Sequence, residues 1–196
     1  MKTVILVRHS EPQRGTDLPN EKIPLSGRGR ELAEKFFYGH RVFEGCRCVY
    51  SSTYARAVET AGHLPHQIVF DDRLVERALG NPDTLDEHFW AKQYEDLDFK
   101  NQNGESLNEA ARRMDSCVLD ILNRIADGEK AVVVSHAAAI CAYLTKFCTI
   151  TVISAEEKTR RIQFRNAVVL QGKIDTPSAF VLQFNQDVLT EISYVS

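Results

Sequence analysis

Short apolar segments rich in β-branched residues alternate with longer segments of helical periodicity from the N-terminus to about residue 145. The length and composition of the apolar segments predict β-strands. These segments are Val4–Val7, Cys48–Ser51, Ile68–Phe70 and Ala131–Val134. Strands that alternate with helices form a parallel sheet that helices cover on both faces. The pattern therefore predicts an α/β fold with three layers, α/β/α, around a mainly parallel central sheet.

Two of the predicted helices have clear N-terminal signals. Ser106 and Glu109 form the Ser-x-x-Glu pattern, in which each side chain can bond the backbone N–H of the other residue. From Leu107 to Ile125, apolar residues then recur at helical spacing. Ser26 can cap an earlier helix that carries Phe36 on its apolar face. Both helices are expected in the layers that cover the sheet.

The pattern changes after Thr149, where short apolar segments follow one another without helices between them. Three additional strands are predicted at Val168–Leu170, Ala179–Phe184 and Leu189–Tyr194. We expect an antiparallel pair of strands at the edge of the sheet.

Residues 81–104 are the least regular part of the chain, in which aromatic side chains stand among many acidic ones. The aromatic residues are Phe89, Trp90, Tyr94 and Phe99. Two interpretations fit this segment: an amphipathic helix that covers one side of the core, and a lid over a pocket.

The composition is that of a soluble globular protein. With 196 residues, the chain is expected to form a single domain over residues 1–196. Its 43% apolar and 26% charged residues argue against a disordered or fibrous chain. Its 24 basic and 27 acidic residues give a net charge of −3, without the positive field of nucleic-acid-binding proteins. Nucleic acid is therefore not expected as a partner. No apolar stretch is long enough for a signal peptide or a membrane span, so no membrane is expected as a partner either.

Five cysteines occur at spacings that fit neither a disulfide framework nor paired Cys-x-x-Cys zinc ligands. They are Cys46, Cys48, Cys117, Cys141 and Cys148. A reduced cytoplasmic protein is therefore expected. Cys46 and Cys48, with His40 nearby, could hold a metal ion, but two small buried residues at the start of a strand are the favoured interpretation.

Basic and imidazole side chains follow three of the predicted strands. Arg8 and His9 come directly after the first strand, and His136 comes shortly after the strand at 131–134. A helix is expected to start at Ser52, after the second strand, with Arg56 about one turn in. The carboxyl ends of parallel strands meet at one edge of a sheet, where ligands bind. Two arginines and a helix N-terminus at this edge suit a phosphate group.

The two histidines at this edge allow two interpretations. Imidazole is the commonest metal ligand, but the companions of His9 and His136 are arginines, whose permanent charge repels a cation. A neutral imidazole can instead attack phosphorus and carry the phosphoryl group as a covalent intermediate. Nucleophilic catalysis without a metal is therefore favoured.

Sequence blocks along nearly the whole chain match one ordered set of motifs. The blocks are Leu6–Glu11, Pro24–Gly29, Ser51–Ala61, Leu74–Gly80, Gly104–Ser106 with Arg113, Val134–His136 and Asn166–Val168. In the same order, they resemble motifs of the histidine phosphatase superfamily, in its phosphoglycerate mutase-like branch. The first four motifs are the Arg-His-Gly-Glu signature, the Leu-Ser-x-x-Gly helix start, the Ser-Ser-x-x-x-Arg-Ala-x-Glu-Thr-Ala block and the Leu-x-Glu-x-x-x-Gly element. The last three are the Gly-Glu-Ser helix cap, the second histidine and the late Asn-containing strand.

The resemblance implies a phosphoglycerate mutase-like fold and a metal-independent phosphatase that needs no cofactor. It implies that His9 is the phosphorylated nucleophile and that Arg8, Arg56 and His136 surround the phosphate. It further implies that Glu76 is the general acid that protonates the departing alcohol. This assignment agrees with the chemistry, because phosphoryl oxygens call for fixed positive donors and the leaving oxygen calls for a proton.

Four further residues are expected to contact the substrate. Ser10 and Ala137 stand where the family usually has glycine, and both are small enough for the backbone to approach a phosphate. The hydroxyl of Ser10 is an added group that could contact the ligand. Arg14 lies in the loop at residues 11–23, and Arg77 follows the predicted general acid.

Hydrolysis of a small phosphorylated metabolite is the favoured function. The block at residues 76–80 lacks the tyrosine that cofactor-dependent mutases usually carry, and the chain lacks their longer insert. A mutase-type phosphotransferase is the alternative, which Arg77 supports. A non-catalytic module that binds a phosphorylated ligand or a protein is the alternative from another class. Sugar phosphates, phosphoglycerates, nucleotide-derived phosphates and phosphoproteins all fit as substrates, and the sequence does not indicate an oligomeric state.

Overall fold

The computed structural model describes residues 1–196 and contains two β-sheets and five α-helices. The strands are β1 (Lys2–Arg8), β2 (Cys48–Ser51), β3 (Ile68–Phe70), β4 (Lys130–Ser135), β5 (Cys148–Ser154), β6 (Thr159–Phe164), β7 (Ala167–Gly172), β8 (Ser178–Asn185) and β9 (Val188–Val195). The helices are α1 (Gly27–Gly39), α2 (Ala55–Ala61), α3 (Phe89–Glu95), α4 (Leu107–Arg124) and α5 (Ala137–Leu144).

The central sheet has six strands in the order β3-β2-β4-β1-β8-β9. The pairings among β3, β2, β4 and β1 are all parallel. Strand β8 runs antiparallel to β1, and β9 runs antiparallel to β8. The predicted α/β fold with a mainly parallel sheet is confirmed, and so is the antiparallel pair at its edge.

Side chains alternate between the two faces of the central sheet and fill two separate cores. Val4 and Leu6 of β1 pack in one core with apolar residues of α4 and α5. Ile5 and Val7 pack in the other core with residues of α1 and α2. All four side chains are fully buried. A strand that is buried on both faces reads as a continuous apolar run, which explains why the sequence identified it.

The predicted helix starts are present. Ser106 accepts a hydrogen bond from the Glu109 N–H at 3.1 Å, and the Glu109 carboxylate accepts one from the Ser106 N–H at 2.8 Å. Helix α4 then buries its apolar face from Leu107 to Leu122. Ser26 caps α1 by accepting from the Gly29 N–H at 2.8 Å. None of the helices combines the length and the apolar content that crossing a bilayer requires.

A second sheet, in the order β5-β6-β7, lies outside the central one. Of its three strands, only β7 was among the predicted strands. In β6, only Ile162 is buried, and the adjacent Arg160 and Arg161 interrupt the apolar character of the segment. A strand that buries so little of its surface has no strong hydrophobic pattern.

The segment at residues 81–104 combines features of both of its interpretations. It contains helix α3, which buries Phe89 and Gln93 against the rest of the protein. Trp90, Gln93 and Tyr94 of the same helix also line a cavity. The segment therefore covers the core and forms one wall of a pocket.

Candidate active site

The carboxyl ends of β1, β4 and β2 bring the predicted site residues together. The register pairs Arg8 with Ser135, and the N–H of His9 donates to the Ser135 carbonyl at 2.9 Å. On the other side of β4, the N–H of Ser52 donates to the Val134 carbonyl at 2.9 Å. The three strands therefore end at the same level, and the residues after them share one edge of the sheet.

His9 is a neutral imidazole whose tautomer is fixed by its neighbours. Its Nδ1 lies 2.7 Å from the carbonyl oxygen of Ser10, which can only accept, so Nδ1 carries the proton. Nε2 accepts a hydrogen bond from Nε of Arg56 at 3.1 Å. Burial lowers the pKa of His9 to about 3, and the positive charges of Arg56 and Arg8 contribute to the same shift. Nε2 is therefore the nitrogen with an available lone pair.

His136 has one ring nitrogen without a hydrogen-bond partner. Ser52 Oγ accepts from the N–H of Tyr54 at 3.2 Å and lies 2.8 Å from Nε2 of His136. The other ring nitrogen, Nδ1, is buried and bonds no group of the protein. Burial, followed by the nearby His9, holds the pKa of His136 well below its usual value. The two imidazole rings lie 4.9 Å apart between centroids.

Two arginines place positive charge beside the histidines without a salt bridge of their own. Arg56 donates Nη1 to the carbonyl of Asn20 at 2.6 Å and lies 5.0 Å from the centroid of the Tyr54 ring. Arg8 donates Nη1 to the carbonyl of Ile174, and its buried Nε has no partner. Burial lowers the pKa of both guanidinium groups. Unpaired cations in this environment favour the binding of an anion.

Glu76 lies at the N-terminus of α5, where backbone N–H groups hold its carboxylate. Oε1 accepts from the N–H of Arg77 at 2.8 Å and from that of Ala139 at 3.0 Å. Oε2 lies 3.5 Å from the N–H of Ala138. The negative charge of Glu76 also favours the protonated form of Arg8. The carboxyl group is therefore fixed at the same edge of the sheet as the arginines and histidines.

A cavity of about 470 Å³ opens at this edge. Arg8, Glu76 and Ala137 line it, together with α3 and the turn between β5 and β6. His9 and His136 are buried and do not line it. A ligand in the cavity therefore meets Arg8 and Glu76 directly.

No group of three or more His, Cys, Asp or Glu side chains lies in an arrangement that could hold a metal ion.

The family model described as histidine phosphatase superfamily (branch 1) matches residues 4–187. The chain belongs to this superfamily. The resemblance that the sequence motifs indicated is thereby confirmed.

Several solved structures share the fold of this histidine phosphatase. A mycobacterial glucosyl-3-phosphoglycerate phosphatase is 20% identical with a TM-score of 0.68, over 92% of this chain and 89% of its own. A phosphoserine phosphatase from Entamoeba histolytica, in complex with phosphoserine, is 19% identical with a TM-score of 0.67, over 98% and 97%. YhfR of Bacillus stearothermophilus is 22% identical with a TM-score of 0.68, over 97% and 95%. None of the curated proteins is significantly similar in sequence.

Ser10 and Arg77 have contacts that differ from those expected of substrate-binding residues. The Ser10 hydroxyl donates to the carbonyl of Gly29 at 2.7 Å and so is not free to bond a ligand. Arg77 is buried and does not line the cavity. Its guanidinium donates to the side chain of Gln93 and, at 2.7 Å, to the carbonyl of Glu105. In this histidine phosphatase, Ser10 therefore orders the loop after β1, and Arg77 attaches the 81–104 segment.

Two further predicted site residues lie where a ligand can reach them. Arg14 and Ala137 both line the cavity.

Helix α2 begins at Ala55, later than the expected start at Ser52, because Tyr54 is still extended at φ −70° and ψ 134°. Arg56 therefore lies in the first turn of α2.

The turn between β5 and β6 supplies cavity residues that sequence reasoning missed. Lys158 and Arg160 line the cavity, and Lys173 joins them from the segment after β7. The only sequence signal was the density of basic residues around 158–161, which is equally typical of a solvated surface.

Proposed function

We propose that this histidine phosphatase hydrolyses phosphomonoesters of small metabolites through a phosphohistidine on Nε2 of His9. The observation that carries this proposal is the state of the His9 ring. It is neutral, its Nδ1 proton is bound to the Ser10 carbonyl, and its Nε2 lone pair faces the guanidinium of Arg56. A nucleophilic nitrogen beside unpaired cations suits attack on a phosphate.

The phosphate is proposed to bind the donors that have no partner in the protein. Those nearest to His9 in the site are Nδ1 of His136, in the tautomer that carries its proton there, and the free N–H groups of Arg8 and Arg56. A phosphate oxygen that accepts from Nε of Arg56 replaces the hydrogen bond from Arg56 to His9. Binding of the phosphate thereby frees the Nε2 lone pair at the position where phosphorus arrives.

Two displacements at phosphorus then complete the reaction. In the first, Nε2 of His9 bonds to phosphorus while the bond to the ester oxygen breaks, and protonated Glu76 gives its proton to that oxygen. In the second, water attacks the phosphohistidine, and the Glu76 carboxylate takes the proton of the water as the bond from nitrogen to phosphorus breaks. Inorganic phosphate leaves, and both residues return to their starting states. The charge on the phosphoryl oxygens is stabilised by the arginines throughout.

The mutase alternative depends on Arg77. This side chain is buried outside the cavity and donates to Gln93 and Glu105, while its Nη2 has no partner, so its contacts favour a role within the protein over recognition of a substrate. Hydrolysis of small metabolites is supported by similar folds whose names specify phosphatases for glucosyl-3-phosphoglycerate and phosphoserine. The five cysteines, all of which are free thiols, support the proposal of a cytoplasmic location.

The test is phosphate release from nitrophenyl phosphate and a panel of phosphorylated metabolites in the presence of EDTA. We expect turnover that is insensitive to the chelator, and a protein-bound phosphate that is stable in alkali and labile in acid after brief incubation. Loss of activity with EDTA that a divalent ion restores would contradict metal-independent catalysis. Ligand binding without turnover would indicate the non-catalytic module, and transfer to a second hydroxyl without phosphate release would indicate a mutase.

Arg56→Ala is expected to raise the barrier by about 2–4 kcal/mol, because the variant loses a preorganised donor for the phosphoryl oxygens. The measurement is kcat/KM for nitrophenyl phosphate. Arg56→Lys should recover only part of the loss, because an ammonium group cannot form two parallel bonds. Arg41→Ala, at an exposed arginine near the amino ends of β2 and β4, is the control and should leave kcat/KM unchanged. Full recovery by lysine would show that Arg56 acts only as a point charge.

A further inference from the structure

The wall of the cavity carries positive charge that no acidic side chain pairs with. Five of the residues that line the cavity are cationic and three are acidic, whereas the whole chain has a net charge of −3. The cations outside the proposed catalytic set are Arg14, Lys158, Arg160 and Lys173. None of the ion pairs in the structure includes any of these four. The cavity therefore attracts anions in a protein that is acidic as a whole.

Arg160 is the member of this set that the fold holds in place. Its Nη1 donates to the hydroxyl of Tyr94 at 3.2 Å and to Sγ of Cys141 at 3.1 Å. Its Nε is buried and has no partner, and its Nη2 makes no hydrogen bond within the protein. Partial burial of a guanidinium group without a carboxylate is unfavourable, and a bound anion removes that penalty. The contacts on Nη1 therefore leave Nη2 as the nitrogen of this group that is not buried and has no partner in the protein.

Arg160 lies in the same cavity as Arg8, which is proposed to bind the phosphate that is hydrolysed. Arg8 and Arg160 line the same cavity, and the positive charge of Arg160 is one of the causes that lower the pKa of Arg8. The two guanidinium groups are therefore close enough to be spanned by one small molecule. The cavity of about 470 Å³ has room for more than a phosphate group.

We propose that Arg160, with Lys158 beside it in the turn, forms a subsite for a second anionic group of the substrate. The preferred substrates are then small phosphomonoesters that also carry a carboxylate or a second phosphate. This inference rests on the proposed function, because it places the phosphate that is hydrolysed at His9.

Two matched pairs of substrates test the subsite. 3-Phosphoglycerate and glycerol 3-phosphate have the same three carbons and differ in a carboxylate that replaces a hydroxymethyl group. Propane-1,3-diol bisphosphate and 3-hydroxypropyl phosphate differ in the second phosphate. We expect kcat/KM to be higher by about tenfold or more for the member with the second anionic group in at least one pair, because it gains charge-assisted hydrogen bonds. The pair that shows the preference identifies the second anion.

Substitutions on β6 and in the turn before it show which residues cause the preference for the second anionic group. Arg160→Gln should reduce the ratio of the two kcat/KM values by about tenfold, which removes most of the preference. Lys158→Gln should reduce it by about 2- to 5-fold, and this side chain is exposed in the turn, so the fold is retained. Arg161→Gln is the matched control, because Arg161 follows Arg160 on the strand and lines a depression on the other face of the sheet. The control should leave the ratio unchanged.

Three results would overturn the proposal. Equal kcat/KM values within both pairs for the wild-type protein would show that no second anion is recognised. Equal loss for both members of a pair in Arg160→Gln would place Arg160 on the phosphate that is transferred. An unchanged ratio in both Arg160→Gln and Lys158→Gln would place the recognition elsewhere, and the second variant decides alone if the first does not fold.

Calorimetric binding of the same pairs to His9→Ala separates this proposal from the proposed function. A preference in binding for the ligand with the second anionic group, without hydrolysis by the wild-type protein, would support the subsite and contradict the catalytic proposal. Hydrolysis by the wild-type protein without any preference between the members of a pair would support the catalytic proposal and contradict the subsite.

Discussion

Replacement of His9 by alanine is expected to lower kcat for nitrophenyl phosphate by about 10⁴-fold or more, since no other group can form the covalent intermediate. The hydroxyl of Ser52 lies in the site, but it is already bonded to His136. The protein-bound, alkali-stable phosphate should disappear together with the activity. Both are measured by stopping the reaction with base and counting label on the protein.

The controls for His9→Ala separate loss of chemistry from loss of the site. His63→Ala changes a partly exposed histidine after α2 and should retain full activity and labelling. His9→Ala should still bind inorganic phosphate, because Arg8 and Arg56 remain. Persistent acid-labile label in His9→Ala, or label that resists acid as a serine ester does, would show that another residue is the nucleophile.

Glu76→Gln should slow the hydrolysis of alkyl phosphates by about 10²–10⁴-fold and that of nitrophenyl phosphate by much less. The difference arises because an alkyl phosphate expels a strongly basic alkoxide that needs a proton, whereas nitrophenyl phosphate expels a stable phenolate. The phosphohistidine should still form from nitrophenyl phosphate. The measurement is kcat/KM for both substrates, with the trapped intermediate as a second readout.

Glu156→Gln is the matched control for Glu76→Gln, because Glu156 also lines the cavity and makes no side-chain hydrogen bond. It should leave the ratio of the two substrates unchanged. Equal losses on both substrates in Glu76→Gln would show that Glu76 positions the phosphate or the nucleophile. The N–H groups of Ala138 and Ala139 that now bind Glu76 would then be the donors disturbed by the substitution.

The local elements of the central sheet were predictable because their signals are carried by neighbouring residues. Residues 4–7 form an uninterrupted apolar run because both faces of β1 are covered. The capping pair Ser106 and Glu109 bonds within a single turn. The residue types after the strands also indicated phosphate chemistry, since the parallel order of the strands brings their carboxyl ends together.

The second sheet was not predictable in this way. Strand β5 buries Cys148 and Ile150 but leaves the residues between and after them more exposed, and β6 buries only Ile162. Such weak alternation resembles a solvated segment. The sheet is stabilised by pairing between its own strands and by contacts with α3 and β9, which lie far away in sequence. The cavity wall that carries Arg160 could therefore only be found in the structure.

The sequence by itself determined the fold class, the helix starts and which residue types gather at the strand ends, because each of these depends on local periodicity and on short motifs. The tertiary structure decided which of those side chains are free to act. Arg56 and His9 are 47 positions apart and His136 and Ser52 are 84 apart, yet each pair is joined by a hydrogen bond in the site. Arg77 follows Glu76 directly but points to Gln93 and Glu105, so it supports the site from inside the protein. Burial and hydrogen bonding between distant residues set the protonation and orientation of these groups, and neither is encoded in the spacing of residues along the chain.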